Sequence, residues 1–319
     1  MIERNRDRKL AVVAVGGNAL VRQKGKETLP EQYAAACLTM PHVVAMIQSG
    51  WDVIVTHGNG PQVGFILRRS ELSAHELHTI PLDYCGSNTQ GSIGYMFQTA
   101  LNNDFERNGM PNRAVTVVTQ TLVDPQDPAF RNPTKPIGSF MTEAAAKKHQ
   151  EVDGWAVVED AGRGWRRVVP SPKPRQILQQ DAILSLVNAG FTVVGVGGGG
   201  IPVIKDAQGG VQGVEAVIDK DLASALLASS INADLFMIST EVEKVAVNFN
   251  KPNVQWLDQL SVSQARAFIA EGQFGKGSME PKIQAVLQYL ESGGKKAMIT
   301  NPENMVRALQ GETGTHFTA

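Results

Sequence analysis

Residues 10–19 read LAVVAVGGNA, an unbroken apolar run leading into Gly16-Gly17-Asn18. A strand with one wet face alternates apolar and polar side chains. An unbroken run therefore predicts a strand covered on both faces, as in a parallel sheet flanked by helices. The same signature recurs at 53–56, 114–121, 192–196 and 235–239. Helix candidates lie between these runs at 31–49, 92–108, 176–188 and 221–231. In the last, Leu222, Ala225, Leu226 and Ile231 fall at helical spacing. Alternating strands and helices predict an α/β fold, a three-layer α/β/α sandwich on a mainly parallel open sheet with right-handed crossovers.

One stretch departs from this pattern. Residues 124–175 carry Pro125, Pro128, Pro133, Pro136, Pro170, Pro172 and Pro174, a density that argues against a regular buried sheet. The same stretch holds a helix candidate at 143–150 together with Trp155 and Trp165. It reads as a small folded excursion able to act as a lid, rather than as a linker. The expected organisation is one domain over 1–319: an N-terminal lobe at 9–123, a protruding subdomain at 124–175 and a C-terminal lobe at 176–319.

Three glycine-rich turns follow apolar runs: Gly16-Gly17-Asn18-Ala19, His57-Gly58-Asn59-Gly60-Pro61-Gln62 and Gly197-Gly198-Gly199-Gly200. The carboxyl ends of parallel strands share one edge of the sheet, where ligands bind. Glycine there lets backbone N–H groups approach an anion, and a following helix adds its positive N-terminus. A single Gly-Gly turn is weak evidence. Four consecutive glycines are costly to order and call for a reason, of which close approach of a ligand is the usual one. None of the turns has P-loop or dinucleotide-fold spacing.

Phosphoryl transfer needs positive charge around an anionic transition state. Three lysines lie outside obvious surface helices: Lys135 between Pro133 and Pro136, Lys220 in Asp219-Lys220-Asp221, and Lys282 just after Pro281. Each alone reads as a surface charge. Lys220 resists that reading, because Asp-Lys-Asp closes a stretch otherwise too apolar for an exposed loop. Asp219 and Asp221 are placed to keep it charged and aimed.

Lys and Arg total 30 against 31 Asp and Glu, a formal charge of −1. That balance argues against a generic binder of nucleic acid or membrane surfaces, whose affinity comes from summed basic charge. The two cysteines, Cys37 and Cys85, support neither a disulfide framework nor a Cys-rich metal site, and read as reduced thiols. The charged residues before residue 10 lead straight into the first strand without a signal-peptide core. A cytoplasmic location is expected.

Taken together, these segments resemble carbamate kinases, a branch of the amino-acid-kinase superfamily. The similar residues are Val13-Ala14-Val15-Gly16-Gly17-Asn18-Ala19, Thr56-His57-Gly58-Asn59-Gly60-Pro61-Gln62 and Thr134-Lys135-Pro136-Ile137-Gly138. Glu159-Asp160-Ala161-Gly162-Arg163-Gly164-Trp165, Ser171-Pro172-Lys173-Pro174, Gly213-Val214-Glu215-Ala216-Val217-Ile218-Asp219-Lys220-Asp221, and Gly277-Ser278-Met279 with Pro281-Lys282 complete the set. The proline-rich middle segment is the most specific of these.

The resemblance implies an open eight-stranded sheet, a homodimer, and transfer of a phosphoryl group between ATP and carbamate, with Mg2+ accompanying ATP or ADP. It implies that Lys135, Lys220 and Lys282 neutralise the transferring group while Asp221 organises the lysines. Gly16, Gly17, Asn18, Gly58, Asn59 and Gly60 would hold the phosphoryl group and carbamate, with Gly197, Gly198 and Gly199 bordering the phosphates. Asp219, Lys220, Thr240, Met279 and Lys282 would meet the nucleotide. No protein-bound metal is implied. ATP synthesis within a degradative pathway, arginine catabolism among the candidates, is the expected direction. Glu241 departs from the family's small or apolar residue at that point. Two other readings are an amino-acid kinase for another acid, such as N-acetylglutamate, and a silent carbamoyl-phosphate-binding relative. The first does not explain the middle segment, and the second is expected to have lost one of the lysines.

Overall fold

The structure is a computed structural model that describes residues 7–17, 20–21, 27–159, 162 and 164–318. Its centre is an eight-stranded sheet. The strand order is Gln259–Ser261, Thr315–Thr318, Ala297–Thr300, Leu235–Ser239, Lys9–Val15, Trp51–His57, Thr192–Val194 and Ala114–Thr116. Neighbours run parallel except for Ala297–Thr300 against Thr315–Thr318.

The unbroken apolar runs are explained by two cores. In Lys9–Val15, Leu10, Val12 and Ala14 enter one core, and Ala11, Val13 and Val15 enter the other. Leu235–Ser239 divides the same way, with Phe236 and Ile238 on one side and Leu235 and Met237 on the other. Successive side chains of a strand point to opposite faces, so both faces must be covered. Helices Gln180–Asn188, Lys220–Ser230 and Met279–Glu291 cover the first, through Ile183, Leu227 and Val286 among others. Helices Leu29–Gln48 and Leu82–Arg107 cover the second, through Met40 and Phe97 among others. The three-layer sandwich expected from the sequence is the observed one.

Several boundaries differ from expectation. The run at 114–121 is two strands, Ala114–Thr116 in the main sheet and Gln120–Val123 in a four-stranded sheet with Val211–Gly213, Ile201–Lys205 and Pro174–Ile177. The candidate helix at 176–188 begins as the strand Pro174–Ile177 and becomes helical only at Gln180. The helix placed at 92–108 starts ten residues earlier, at Leu82. Gly86, Gly91 and Gly94 weaken its sequence signal, since glycine in a helix interior is unfavourable by about 1 kcal/mol relative to alanine. Gly94 has a packing reason: a Cβ there would lie 2.2 Å from Thr116 Cγ2.

The proline-rich stretch forms a small sheet, mostly half-buried or exposed and with a register shift between Ile137 and Met141, so it is not the regular buried sheet that the prolines argued against. Lys135–Met141, Trp165–Val169 and Ala156–Glu159 make three antiparallel strands, with the helix Glu143–Asp153 between the first and third in sequence. Pro136 is tolerated because its strand is at the edge of that sheet, where a missing N–H breaks no interior ladder. Among the described residues, no helix is long and apolar enough to cross a membrane.

Candidate active site

The carboxyl ends of the central strands deliver their loops to one edge, and backbone hydrogen bonds knit those loops together. Gly16 N donates to Ser239 O (3.0 Å), and Gly58 N donates to Val15 O (3.1 Å). Two of the amides expected to face an anion thus hold one loop to the next. Gly58 is also a close-approach position. A Cβ there would sit 2.9 Å from Gly17 N and 3.3 Å from Lys220 Cδ. Asn18 lies outside the described residues.

Lys220 opens the helix Lys220–Ser230 and Asp221 follows it inside the first turn. Lys220 Nζ donates to Asp221 Oδ1 (2.5 Å), and Lys282 Nζ, from the first turn of Met279–Glu291, donates to Asp221 Oδ2 (3.0 Å). One carboxylate therefore serves two ammonium groups, and the side chains are only 5% (Asp221), 12% (Lys220) and 16% (Lys282) exposed. Burial pulls the Lys220 ammonium below its usual range; Asp221 opposes this and Lys282 adds to it. Burial alone would raise the Asp221 carboxyl, but the Lys220 and Lys282 charges together hold it below its usual value. Ser224 Oγ fixes the helix start by donating to Lys220 O (2.6 Å), and lies 2.6 Å from Thr56 Oγ1.

Asp219 helps to keep Lys220 charged and has two further tasks. It caps the same helix, accepting from Asp221 N and Leu222 N, and its other oxygen accepts from Lys135 Nζ (3.1 Å). Lys135 comes from the three-stranded sheet of residues 135–169, so the three lysines named from sequence converge on two aspartates that flank Lys220 in sequence.

Above Asp221 lies a cavity of about 550 Å3 lined by Gly16, Gly17, Lys220, Lys282, Thr240 and Ser278, with Glu241 and Asn301–Glu303 on its wall. A second compartment of about 260 Å3 shares Thr240, Glu241, Ser278 and Lys282 with it and is otherwise mainly apolar, with Val242, Phe249, Trp256, Phe274 and Met279. One half suits anions and the other a flat apolar group. Gly60 is exposed at the start of Gly60–Ser73, and Asn59 is buried, its Nδ2 donating to Thr89 Oγ1 (2.8 Å).

Gly197, Gly198 and Gly199 do not line the cavity. They are buried, and protein atoms account for their lack of side chains. A Cβ on Gly197 would meet His57 Nε2 at 2.4 Å, one on Gly198 Asn59 Nδ2 at 2.1 Å, and one on Gly199 Ile218 O at 2.7 Å. Gly199 has φ +91° and faces an unyielding backbone oxygen. Gly199→Ala is expected to destabilise the fold by about 3 kcal/mol in urea denaturation; a loss under about 1 kcal/mol would contradict this packing role.

His57 is fully buried behind the site and edge-on to Phe97, with ring centroids 5.6 Å apart. Burial, with a smaller push from Lys220, lowers it to about 4, against the support of its bond to Gly58. The neutral ring donates from Nδ1 to Gly58 O (3.1 Å). As pH falls below 6.5 the unfolded chain binds this proton, while the folded chain does not until about 4. Stability therefore falls across that window, by on the order of 3 kcal/mol from this group. Urea titrations at pH 7 and pH 4 should show that His57→Gln loses this part of the acid sensitivity. An unchanged pH slope in the variant would contradict it.

Sequence reading missed Asn301–Glu303 and the aromatic compartment. The first follows the strand Ala297–Thr300, which is a usable signal; the second is assembled from residues far apart in sequence.

The sequence profile described as "Amino acid kinase family" matches residues 9–301. The chain belongs to the amino acid kinase family. Within it, the chain is 49% identical over 314 residues to the carbamate kinase-like protein YahI of Escherichia coli, covering 97% of this chain and 99% of that protein. It is 46% identical to a carbamate kinase of Thermococcus kodakarensis, covering 96% and 98%. Among solved structures, a carbamate kinase from Giardia lamblia bound to AMP-PNP superposes with a TM-score of 0.92 at 41% identity, covering 98% of each chain. For this amino acid kinase, the similarity spans both the loops of the anion compartment and the three-stranded sheet of residues 135–169.

Proposed function

We propose that the chain is a carbamate kinase, transferring a phosphoryl group reversibly between ATP and carbamate to give ADP and carbamoyl phosphate. The observation that carries this reading is the pair of buried lysines sharing one carboxylate at the floor of the anion compartment. Asp221 balances one of the two charges and leaves a surplus positive charge with little water around it. A buried surplus of this kind is stabilised by an incoming anion, most strongly by one whose charge is spread over a transferring phosphoryl group.

A carbamate oxygen attacks the γ-phosphorus, forming the new P–O bond as the bond to the β,γ-bridging oxygen breaks and ADP leaves with that electron pair. Carbamate is already an anion, so no general base is required, and catalysis is positioning plus charge stabilisation. Lys220 and Lys282 meet the phosphoryl oxygens from the floor, and Lys135 brings a third charge from the protruding sheet. Gly16 and Gly17 leave room for the group, with Gly58 and Asn59 setting their loop. The base of the nucleotide, the part of AMP-PNP that is flat and apolar, suits the compartment of Phe249, Trp256 and Met279. Mg2+ enters as part of the substrate, screening the nucleotide phosphates. Among the described residues no group of three or more His, Cys, Asp or Glu is assembled for a metal, and Glu241 and Glu303 are carboxylates on that wall.

The direction we propose is ATP synthesis, since carbamoyl phosphate is a reactive mixed anhydride and carbamate decomposes. We place it in the cytoplasm, where ADP is supplied, as a homodimer. Tyr84 and Tyr95, 62% and 70% exposed on the helix Leu82–Arg107, are apolar surface that such a dimer has reason to cover. The test is ATP consumption with carbamate, formed from ammonia and bicarbonate, beside acetate and N-acetylglutamate. Preference for carbamate supports the reading; preference for N-acetylglutamate overturns it.

A further inference from the structure

We infer that Asp219 is a positioning residue, tying the lysine of the protruding sheet to the head of the helix that carries the other half of the site. Its two oxygens have separate tasks. Oδ1 accepts from Asp221 N (2.9 Å) and Leu222 N (3.3 Å), and Oδ2 accepts from Lys135 Nζ (3.1 Å). The backbone that leads to it is engaged in the same way. Glu215 Oε2 accepts from Arg167 Nη2 (3.2 Å), and Val217 N donates to Pro170 O (2.9 Å). Every second residue of this extended stretch, 215, 217 and 219, therefore touches the protruding sheet or its exit. Asp219 is the last of the three and the one that meets the active site.

Its charge adds little to stability at this position. Lys135 is 39% exposed and Asp219 17%, and ion pairs open to water contribute little to folding. The effect of the pair is directional: it holds a long, flexible side chain at the head of the helix that carries Lys220 and Asp221 before substrate arrives. Holding reactive charge in place in advance removes a conformational requirement from the transition state, and small misplacements in such sites slow turnover by about 10- to 100-fold.

Asp219→Asn separates the two tasks. An asparagine oxygen still caps the helix as well as aspartate does, while the attraction for the lysine is lost. The kinetic part of this inference rests on the carbamate kinase reading, so the test has one arm independent of turnover. In that arm, amide hydrogen exchange of Asp219→Asn should quicken in Lys135–Met141 and Trp165–Val169, with Lys220–Ser230 unchanged. In the second, kcat for ATP formation should fall about tenfold with an unaltered melting temperature. Placed in a Lys135→Ala background, Asp219→Asn should lower the residual rate no further. Unchanged exchange in the protruding strands overturns the inference whatever the reaction proves to be. So does a rate at or above that of the unsubstituted protein, or an equal fractional loss with and without Lys135. An unsubstituted protein inactive toward every acid tested, with the exchange result as expected, strikes at the reaction assignment and leaves the role of Asp219 standing.

Discussion

Lys220→Ala lowers kcat for ATP formation by about a thousandfold while leaving the protein folded. The size follows from what the side chain does. Its ammonium lies at the floor of the anion compartment, almost out of water, where a fixed positive charge acts on the transition state far more strongly than in solvent. The fold survives because Asp221 keeps its second partner, Lys282 Nζ at 3.0 Å, so the deletion leaves a balanced pair. Burial holds the Lys220 ammonium below the usual 10.5. The function of that group is lost as pH rises, so the alkaline fall of kcat/KM should begin below 10.5. Near-normal turnover by Lys220→Ala, with an unchanged melting curve, would remove the lysine from the mechanism.

Asp221→Asn acts on stability as well as rate. It leaves the ammonium groups of Lys220 and Lys282 facing one another at the positive N-terminus of Lys220–Ser230, with no carboxylate between them. Breaking a buried ion pair from one side costs about 3–5 kcal/mol, because the remaining charge stays buried. Urea denaturation at pH 7 is the check, and a loss under about 1 kcal/mol would contradict the arrangement. The pH dependence has a definite sign. The folded-state value of Asp221 lies below the ordinary 3.8. Its contribution is therefore complete above 3.8 and disappears as pH falls through the lower, folded-state value. The variant has no such acid transition. Phosphate or sulfate should restore part of the lost stability, since an anion can occupy the place between the two lysines.

The central fold was legible because its strands are buried on both faces. Residues 10–15 and 235–239 could be read from apolar continuity alone, and the structure places their alternate residues in two cores. Reading failed where tertiary contact overrides local preference. Gly94 sits inside a long helix only because Thr116 packs against it. In the site, the lysines stood out by their setting, Lys220 between two aspartates after an apolar run and Lys282 after a proline in the first turn of its helix. The tetraglycine run drew attention for a sound reason, the entropy of ordering it. Its explanation is the close packing of His57, Asn59 and Ile218 around it, which no local pattern encodes. Asn301–Glu303 carry no glycine signature, and Phe249 and Trp256 meet Met279 only through the fold.

The most direct test of the carbamate kinase reading is ATP formation from ADP and Mg2+ with carbamoyl phosphate, beside acetyl phosphate as a competing donor. The reading predicts rapid ATP formation from carbamoyl phosphate, strong preference for it over acetyl phosphate, and loss of that activity in Lys220→Ala. Well-folded protein that binds carbamoyl phosphate yet forms no ATP, or forms it equally well from acetyl phosphate, would contradict it.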